Sequence, residues 1–299
     1  LPERYRGGAC TLGNFDGIHR GHVRVLDHLQ AVAQARTTTV VSFYPHPINV
    51  LRGSGAIRSV TSVREKAERL GELGVNLLYC VHFTQKLALC SADEFIKRVF
   101  IEALGVSDLV VGEDVGFGHG KRGDLQYLTE KLPGYGIKLH TVPRLDVDGR
   151  KAGSRLIREL VEGGLVEEVV PLLGAPFTIS ARVGHGDKRG SQIGFPTANI
   201  SVGTRLIPRK GVYACRVEVD GDYYGAVANI GVRPTFNGDE ERLEVHILDF
   251  PARSLYGTRI HVSFVSRLRD EQGFSGVELL VEQIHRDIKQ ARVRLNHER

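Results

Sequence analysis

The sequence predicts an α/β domain built on a parallel sheet, followed by an antiparallel β-barrel with a C-terminal helix. Three observations carry this. The first half alternates short β-branched, apolar segments with helical patterns, as a parallel sheet covered on both faces requires. The second half holds strand-like segments separated by Gly, Pro, Asn and Asp, with no helix predicted between them. An apolar stripe at helical spacing closes the chain.

In order, "ACTLGNF", "TTTVVSF", "VNLLYCVHF", "DLVVGED" and "IKLHTV" are the strands of the first half. After the first strand, Val25, Leu26, Leu29, Val32 and Ala33 recur with helical spacing and should face the sheet. Ser62 with Glu65, and Ser91 with Glu94, are spaced as capping boxes and mark two further helix starts. "FTISARV", "GVYACRVEV", "YYGAVANIG", "RLEVHILDF" and "RIHVSFVSRL" are the strands of the second half. Ser275 and Glu278 form a third capping pattern. Val277, Leu280, Val281, Ile284, Ile288, Ala291 and Leu295 then form one stripe, read as a core face docked on the barrel. The boundary falls near Val170, giving domains 1–170 and 171–299.

The totals narrow the function. With 299 residues, 41% hydrophobic and 25% charged, the chain can bury two cores. The net charge of +5 is spread along the sequence rather than gathered in blocks. That suits small anionic substrates and argues against a nucleic-acid partner. No apolar run is long enough to span a bilayer and no leader pattern is seen, so a cytoplasmic protein without a membrane partner is expected. Cys10, Cys80, Cys90 and Cys215 form no C-x-x-C pair and read as free thiols of a reducing compartment. Methionine is absent. The oligomeric state is left open.

The stretch "TLGNFDGIHRGHVRVL" sits where the first strand hands over to the first helix. In an open α/β sheet, ligands bind beyond the carboxyl ends of the strands, and a helix N-terminus favours an anion. Gly13, Gly17 and Gly21 let the backbone turn sharply and approach a phosphate. His19 and His22, three residues apart, lie on neighbouring sides of the first helical turn and can donate hydrogen bonds to phosphate oxygens. Neither has to be a nucleophile, since phosphoryl and nucleotidyl transfer proceed largely by positioning and charge stabilisation. No Gly-Lys-Ser/Thr follows, which excludes a P-loop, and the G-x-G-x-x-G dinucleotide spacing is absent.

The second half carries "GHGDKRGSQIGFPTANI". Gly184, Gly186 and Gly190 can wrap a triphosphate with backbone N–H groups. Thr197 and Asn199 are two apart, so they point the same way on an extended segment, and their oxygens are hard ligands suited to Mg²⁺. In "LEVHILDF", Leu243, Val245 and Ile247 point one way and Glu244 and His246 the other. A carboxylate on the open face of a barrel strand can take a proton from a substrate hydroxyl, although an isolated Glu there is more often simply solvated.

The segment "GNFDGIHRGH" resembles the signature of the His-x-Gly-His nucleotidyltransferases, whose fold is Rossmann-like. Within them it is similar to the adenylyltransferase half of bifunctional riboflavin kinase/FMN adenylyltransferases, the prokaryotic FAD synthetases. "FYPHP" (Phe43 to Pro47) resembles the second block of that family, and "VGEDVGFGHGKRGD" its flavin-side loop, which implies flavin contacts from Asp114 and Phe117. "KAGSRLIREL" resembles a late block that usually reads Ile-Ser-Ser-Thr before an Arg. Here Gly153 and Arg155 replace the first Ser and the Thr, while Ser154 and Arg158 remain as implied phosphate contacts. "GFPTAN", "GVYA", "ANIGVRPTF", "LEVHILDF", "LYG" and "RLRDEQGF" follow the order of riboflavin kinase domains. Glu244 then matches the base, Thr197 and Asn199 the magnesium and ATP ligands, and Arg269, Glu271 and Phe274 a flavin-binding segment. Ser191 stands where bacterial members often carry Arg. The resemblance also implies that Asn14 and Asp16 shape the first loop.

The resemblance implies ATP-dependent phosphorylation of riboflavin to FMN in the barrel, then adenylylation of FMN to FAD with release of pyrophosphate in the α/β domain. Mg²⁺ is the implied metal, ATP the co-substrate, and riboflavin and FMN the partners. Two alternatives stand beside it. One is a monofunctional adenylyltransferase whose barrel only binds. The other is a flavin kinase or flavin-storing protein with a decayed N-terminal site, which the altered "KAGSRLIR" block would suit.

Overall fold

The computed structural model describes residues 1–186, 189–235 and 238–296. Asp187 and Lys188 of the glycine-rich segment, and Phe236 of "ANIGVRPTF", lie outside the described residues. The chain divides into two compact units, Leu1–Leu156 and Ile157–Arg299.

The first unit is a five-stranded sheet of β1 (Ala9–Leu12), β2 (Thr38–Tyr44), β3 (Leu77–His82), β4 (Asp108–Gly112) and β5 (Lys138–Val142), in the order β3-β2-β1-β4-β5. All pairings are parallel. Strand alternation divides two cores. Ala9, Val40 and Val110 face Leu26, Leu29 and Ala33 of the first helix, Arg20–Ala33. Cys10, Val41, Leu109 and Val111 face Phe95, Ile96, Phe100, Leu128 and Leu132. Thus Leu26, Leu29 and Ala33 are buried as their spacing predicts, with Val25 and Val32 packed partly against them. The strand order reverses between β1 and β4, so the carboxyl end of β1 lies at the switch point where open α/β sheets bind ligands.

The hairpin β6 (Asp146–Val147) and β7 (Arg150–Lys151) was not expected. Its turn residues Asp148 and Gly149 both have positive φ, +51° and +72°, as a type I′ turn requires. The Ser62–Glu65 capping box is formed in both directions and starts helix Val63–Glu72. Ser91 caps the next start by accepting from Glu94 N–H.

The second unit is a closed barrel of β8 (Phe177–Gly184), β9 (Ala198–Ser201), β10 (Gly211–Val219), β11 (Asp222–Thr235), β12 (Gly238–Ile247) and β13 (Arg259–Arg269). The order is β10-β11-β12-β9-β8-β13, closed by antiparallel pairing of β13 with β10. Closure leaves no sheet edge to cover. A four-residue helix, Arg189–Gln192, interrupts the strands where none was expected.

The last helix, Val277–Asn296, packs on β10, β11 and β13. Only the C-terminal part of the predicted stripe is core: Ala291 and Leu295 are buried with Ala214 and Val265. Val277 is exposed, because the helix docks through its second half. All four cysteines are free thiols, three of them buried.

Candidate active sites

Between β1 and the first helix the chain passes through a left-handed turn. Phe15, Gly17 and Ile18 have φ of +46°, +86° and +40°. A β-branched residue at positive φ persists only where its surroundings over-determine it, and such strain gathers at functional sites. The surroundings are visible. A Cβ on Gly17 would lie 2.8 Å from Val60 Cγ1. The Gly17 N–H donates to Thr61 Oγ1 at 3.1 Å, and the Thr61 N–H donates to Asp16 Oδ1 at 3.1 Å. The Ser154 hydroxyl donates to the Asp16 carbonyl at 2.8 Å. Asp16, buried at 2% exposure, thus holds the loop from inside. Gly13 donates its N–H to the Val41 carbonyl at 3.1 Å, joining the turn to β2.

His19 is the N-cap of the helix, with its Nδ1 accepting from the His22 N–H at 3.3 Å. The two imidazoles stack with centroids 3.7 Å apart, and the Phe15 ring lies 4.6 Å from His22. Gly21 permits this, because a Cβ there would come within 3.0 Å of His19 Nδ1. Burial pushes the His19 pKa down to about 4, against the pull of Asp114 and Asp16. Burial likewise pushes His22 well below its ordinary value, with His19 and then Lys66 adding to the effect. Both rings are therefore neutral at pH 7. Since His19 Nδ1 accepts, its proton sits on Nε2, leaving one N–H donor for a ligand. Asn14 Oδ1 and His22 Nδ1 are buried without a hydrogen-bond partner among the described residues. Buried orphaned atoms are uncommon, and these two belong to the same strand-to-helix crossing.

The buried His19 imidazole makes the stability of the fold depend on pH. The imidazole binds its proton less tightly folded, at about 4, than its ordinary 6.5. The unfolded chain therefore binds more protons in that window, and stability rises with pH. The contribution is complete above about 6.5 and falls away as pH drops toward about 4. Thermal unfolding of wild type and His19→Asn across this range checks it. The variant is expected to lose less of its melting temperature, and an equal loss in both would contradict the assignment.

On the loop after β4, the Asp114 carboxylate pairs with Lys151 Nζ at 2.9 Å and lies 3.8 Å from Arg144 Nε. Phe117 is buried, its ring 5.4 Å from Phe95 and 6.3 Å from Phe100. It anchors the loop to the core. Ser154 opens helix Ser154–Gly163, and Arg158 follows it four residues on.

The barrel site is set by register. Asn199 on β9 lies opposite Glu244 on β12 and opposite Gly184 on β8. Glu244 in turn lies opposite Asn229 on β11. Directly paired residues of antiparallel strands present their side chains on one face, with Cβ atoms about 5 Å apart. Leu243, Val245 and Ile247 are buried while Glu244 and His246 are partly exposed, which is the predicted alternation. The row Gly184–Asn199–Glu244–Asn229 thus crosses four neighbouring strands on the outer face.

Glycines supply the room. A Cβ on Gly186 would collide with the Asn199 amide, one on Gly190 with the Phe195 carbonyl, and one on Gly231 with the Glu271 carboxylate. Thr197 Cγ2 lies 3.5 Å from the place a Gly190 Cβ would take. Glu271 therefore reaches the same face beside Asn229. Arg269 is engaged elsewhere: its Nε and Nη2 hold Asp287 at 2.9 and 2.7 Å. Gln283 Nε2 also donates to Asp287, at 2.9 Å, and the Phe274 ring lies 6.0 Å from the guanidinium.

Three residues near these sites escaped the sequence reading. Asp287 lies inside a helix whose apolar stripe drew attention away from it. Asn229 sits on the polar side of an alternating strand, a signal that was present. Lys66 is buried beneath the first turn, and nothing in its helix pattern distinguishes it from a solvated lysine.

Residues 1–156 match the family model described as FAD synthetase, and residues 173–295 the one described as riboflavin kinase. A bifunctional riboflavin kinase/FMN adenylyltransferase of Pseudomonas fluorescens is 39% identical over 295 residues, covering 98% of this chain and 94% of that one. Its counterpart in Bacillus subtilis is 35% identical over 298 residues, covering 97% and 93%. A crystal structure described as a macrolide-efflux protein from Streptococcus pneumoniae superposes with a TM-score of 0.85 at 32% identity, covering 96% of this chain and 94% of that one. Among the described residues here, no helix is long and apolar enough to cross a membrane.

Proposed function

This chain belongs to the bifunctional riboflavin kinase/FMN adenylyltransferase family, and on that premise we propose which of its residues perform each reaction. It phosphorylates riboflavin to FMN and adenylylates FMN to FAD, with ATP as the second substrate of both steps.

In the kinase reaction, Glu244 takes the proton of the riboflavin 5′-hydroxyl as that oxygen attacks the γ-phosphorus of ATP, and ADP leaves. The observation that carries this is the register row, which sets Glu244 between Asn199 and Asn229. Glu271 lines the flavin side of the same face. Arg269, through Asp287, and Phe274 position that segment.

Mg²⁺ is the metal the family implies, and the residues present fit it. Asn199 Oδ1 is a buried hard oxygen with no partner among the described residues, beside a cradle at Gly186 that a Cβ would fill. Among the described residues no group of three His, Cys, Asp or Glu could hold a metal, as suits a cation that takes few protein ligands and completes its shell with water and phosphate. Thr197 and Asn199 would hold it. When bound, the ion neutralises charge on the nucleotide phosphates. Gly184, Gly186 and Gly190 bring backbone N–H groups to the same phosphates.

In the adenylyl transfer, an FMN phosphate oxygen attacks the α-phosphorus of ATP and pyrophosphate leaves. Neutral His19 and His22 donate to the phosphate oxygens that gain charge. Gly13, Gly17 and Gly21 hold the turn close to those oxygens, Asn14 completes it with its side chain, and Asp16 fixes its shape. Ser154 and Arg158 meet the outer phosphates. Asp114 orients the flavin-side loop through Lys151, and Phe117 anchors that loop. The chain works in the cytoplasm on riboflavin, FMN and ATP, without a nucleic-acid or membrane partner.

The metal assignment is tested by titration. Thr197→Ala and Asn199→Ala are each expected to raise the Mg²⁺ and ATP concentrations needed for riboflavin phosphorylation, because each removes one oxygen from a cation that tolerates little geometric error. FAD formation from supplied FMN should be unchanged. Unaltered metal dependence in either variant would contradict that residue's role.

A further inference from the structure

Beneath the first turn lies a buried charge with no part in either reaction above. Lys66, on helix Val63–Glu72, is 7% exposed. Its Nζ donates to the Asn14 carbonyl at 2.5 Å and to Ser42 Oγ at 3.0 Å. The Ser42 hydroxyl donates to the same Asn14 carbonyl at 2.9 Å. Burying an ammonium costs free energy unless it is paired and hydrogen-bonded, and an apolar side chain would fill the space without that cost. Burial pushes the Lys66 pKa down, and the Asp16 carboxylate opposes it. The charge thus sits under the turn that carries the orphaned Asn14 Oδ1 and the His19–His22 pair.

We propose that Lys66 is a positioning residue for adenylyl transfer, clamping the Asn14 carbonyl together with Ser42 so that the turn presents Asn14, His19 and His22 to the phosphates. The carbonyl and N–H of a trans peptide point opposite ways, so holding the Asn14 carbonyl toward Lys66 fixes the orientation of the whole Asn14–Phe15 peptide. That peptide leads directly into the positive-φ residues. Lys66 touches neither substrate. It acts through the backbone of the turn, with its charge behind the phosphates. The inference rests on the reading of this turn as the adenylyl-transfer site.

The test uses the full chain and measures both reactions. Lys66→Met is expected to lower kcat for FAD formation from FMN and ATP by about 10²-fold, the scale of a misplacement of about 1 Å, with KM for both substrates little changed. Riboflavin phosphorylation by the same preparation should be normal, and a thermal unfolding transition of the α/β unit matching wild type shows that the unit carrying Lys66 is folded. Ser42→Ala, which removes one of the two donors, should cost less. The double variant should cost little more than Lys66→Met alone, because the two side chains act on one carbonyl. A folded Lys66→Met variant with wild-type kcat, or one whose defect is confined to KM, overturns the proposal. If Lys66→Met abolishes both activities, Ser42→Ala decides: reduced kcat at constant KM supports the clamp and wild-type kcat overturns it. A His19→Ala, His22→Ala variant assayed in parallel separates the two levels. If it is inactive while Lys66→Met is not, the clamp alone fails; if it is fully active, the reading of the turn itself fails.

Discussion

A His19→Ala, His22→Ala double variant is expected to make no measurable FAD from FMN and ATP, while FMN still accumulates from riboflavin. Removing one donor aimed at developing charge typically costs about 10²–10³-fold in rate, and this variant removes two. The loss should fall on turnover, since the donors gain strength as charge builds on the oxygens. The pKa of His19, held at about 4 by burial, adds a discriminating detail. A neutral imidazole donates one N–H, and a side-chain amide keeps an N–H donor available. Asn or Gln at these positions is therefore expected to restore more activity than Ala, which a covalent nucleophile would not allow. A folded double-Ala variant with wild-type FAD synthesis would make the glycine turn purely structural.

Glu244→Gln is expected to suppress FMN formation from riboflavin by about 10²-fold or more, the scale of general-base catalysis. Gln keeps the size of the side chain and its place between Asn199 and Asn229, but it cannot accept the proton at neutral pH. FAD formation from supplied FMN should be nearly normal. Separating flavins by chromatography over a time course measures both. Loss of both activities in a folded variant would contradict the assignment of Glu244 to the kinase step.

Much of the fold was legible in the residues alone. β-branched segments separated by helical periods announce a parallel sheet. A Gly-rich turn with two histidines stands out at the first strand-to-helix crossing, and that crossing lies at the switch point of the sheet. Period-two alternation in "LEVHILDF" placed Glu244 on the outer face before any register was known, and the burial of Leu243, Val245 and Ile247 agrees. What escaped needed contacts between segments remote in sequence. Lys66 sits in "VREKAERL", where charges look solvated, and only the approach of β2 and the first turn buries it. Asp287 becomes a buried partner only when Arg269 reaches the last helix. The packing of the Phe117 ring with Phe95 and Phe100 likewise joins segments remote in sequence. An exposed Val277 at the head of an apolar stripe shows the same limit, because periodicity finds a face and not how far along it the docking runs.

The central claim is that one chain carries two chemistries at separate sites, one resting on Glu244 and the other on His19 and His22. The most direct measurement mixes the two disabled variants. Glu244→Gln alone, given riboflavin, ATP and Mg²⁺, should make neither FMN nor FAD beyond a trace. The His19→Ala, His22→Ala variant alone should stop at FMN. An equimolar mixture should form FAD from riboflavin, because FMN released by one variant is adenylylated by the other. A mixture of folded variants that yields no FAD, while wild type does, would contradict the account.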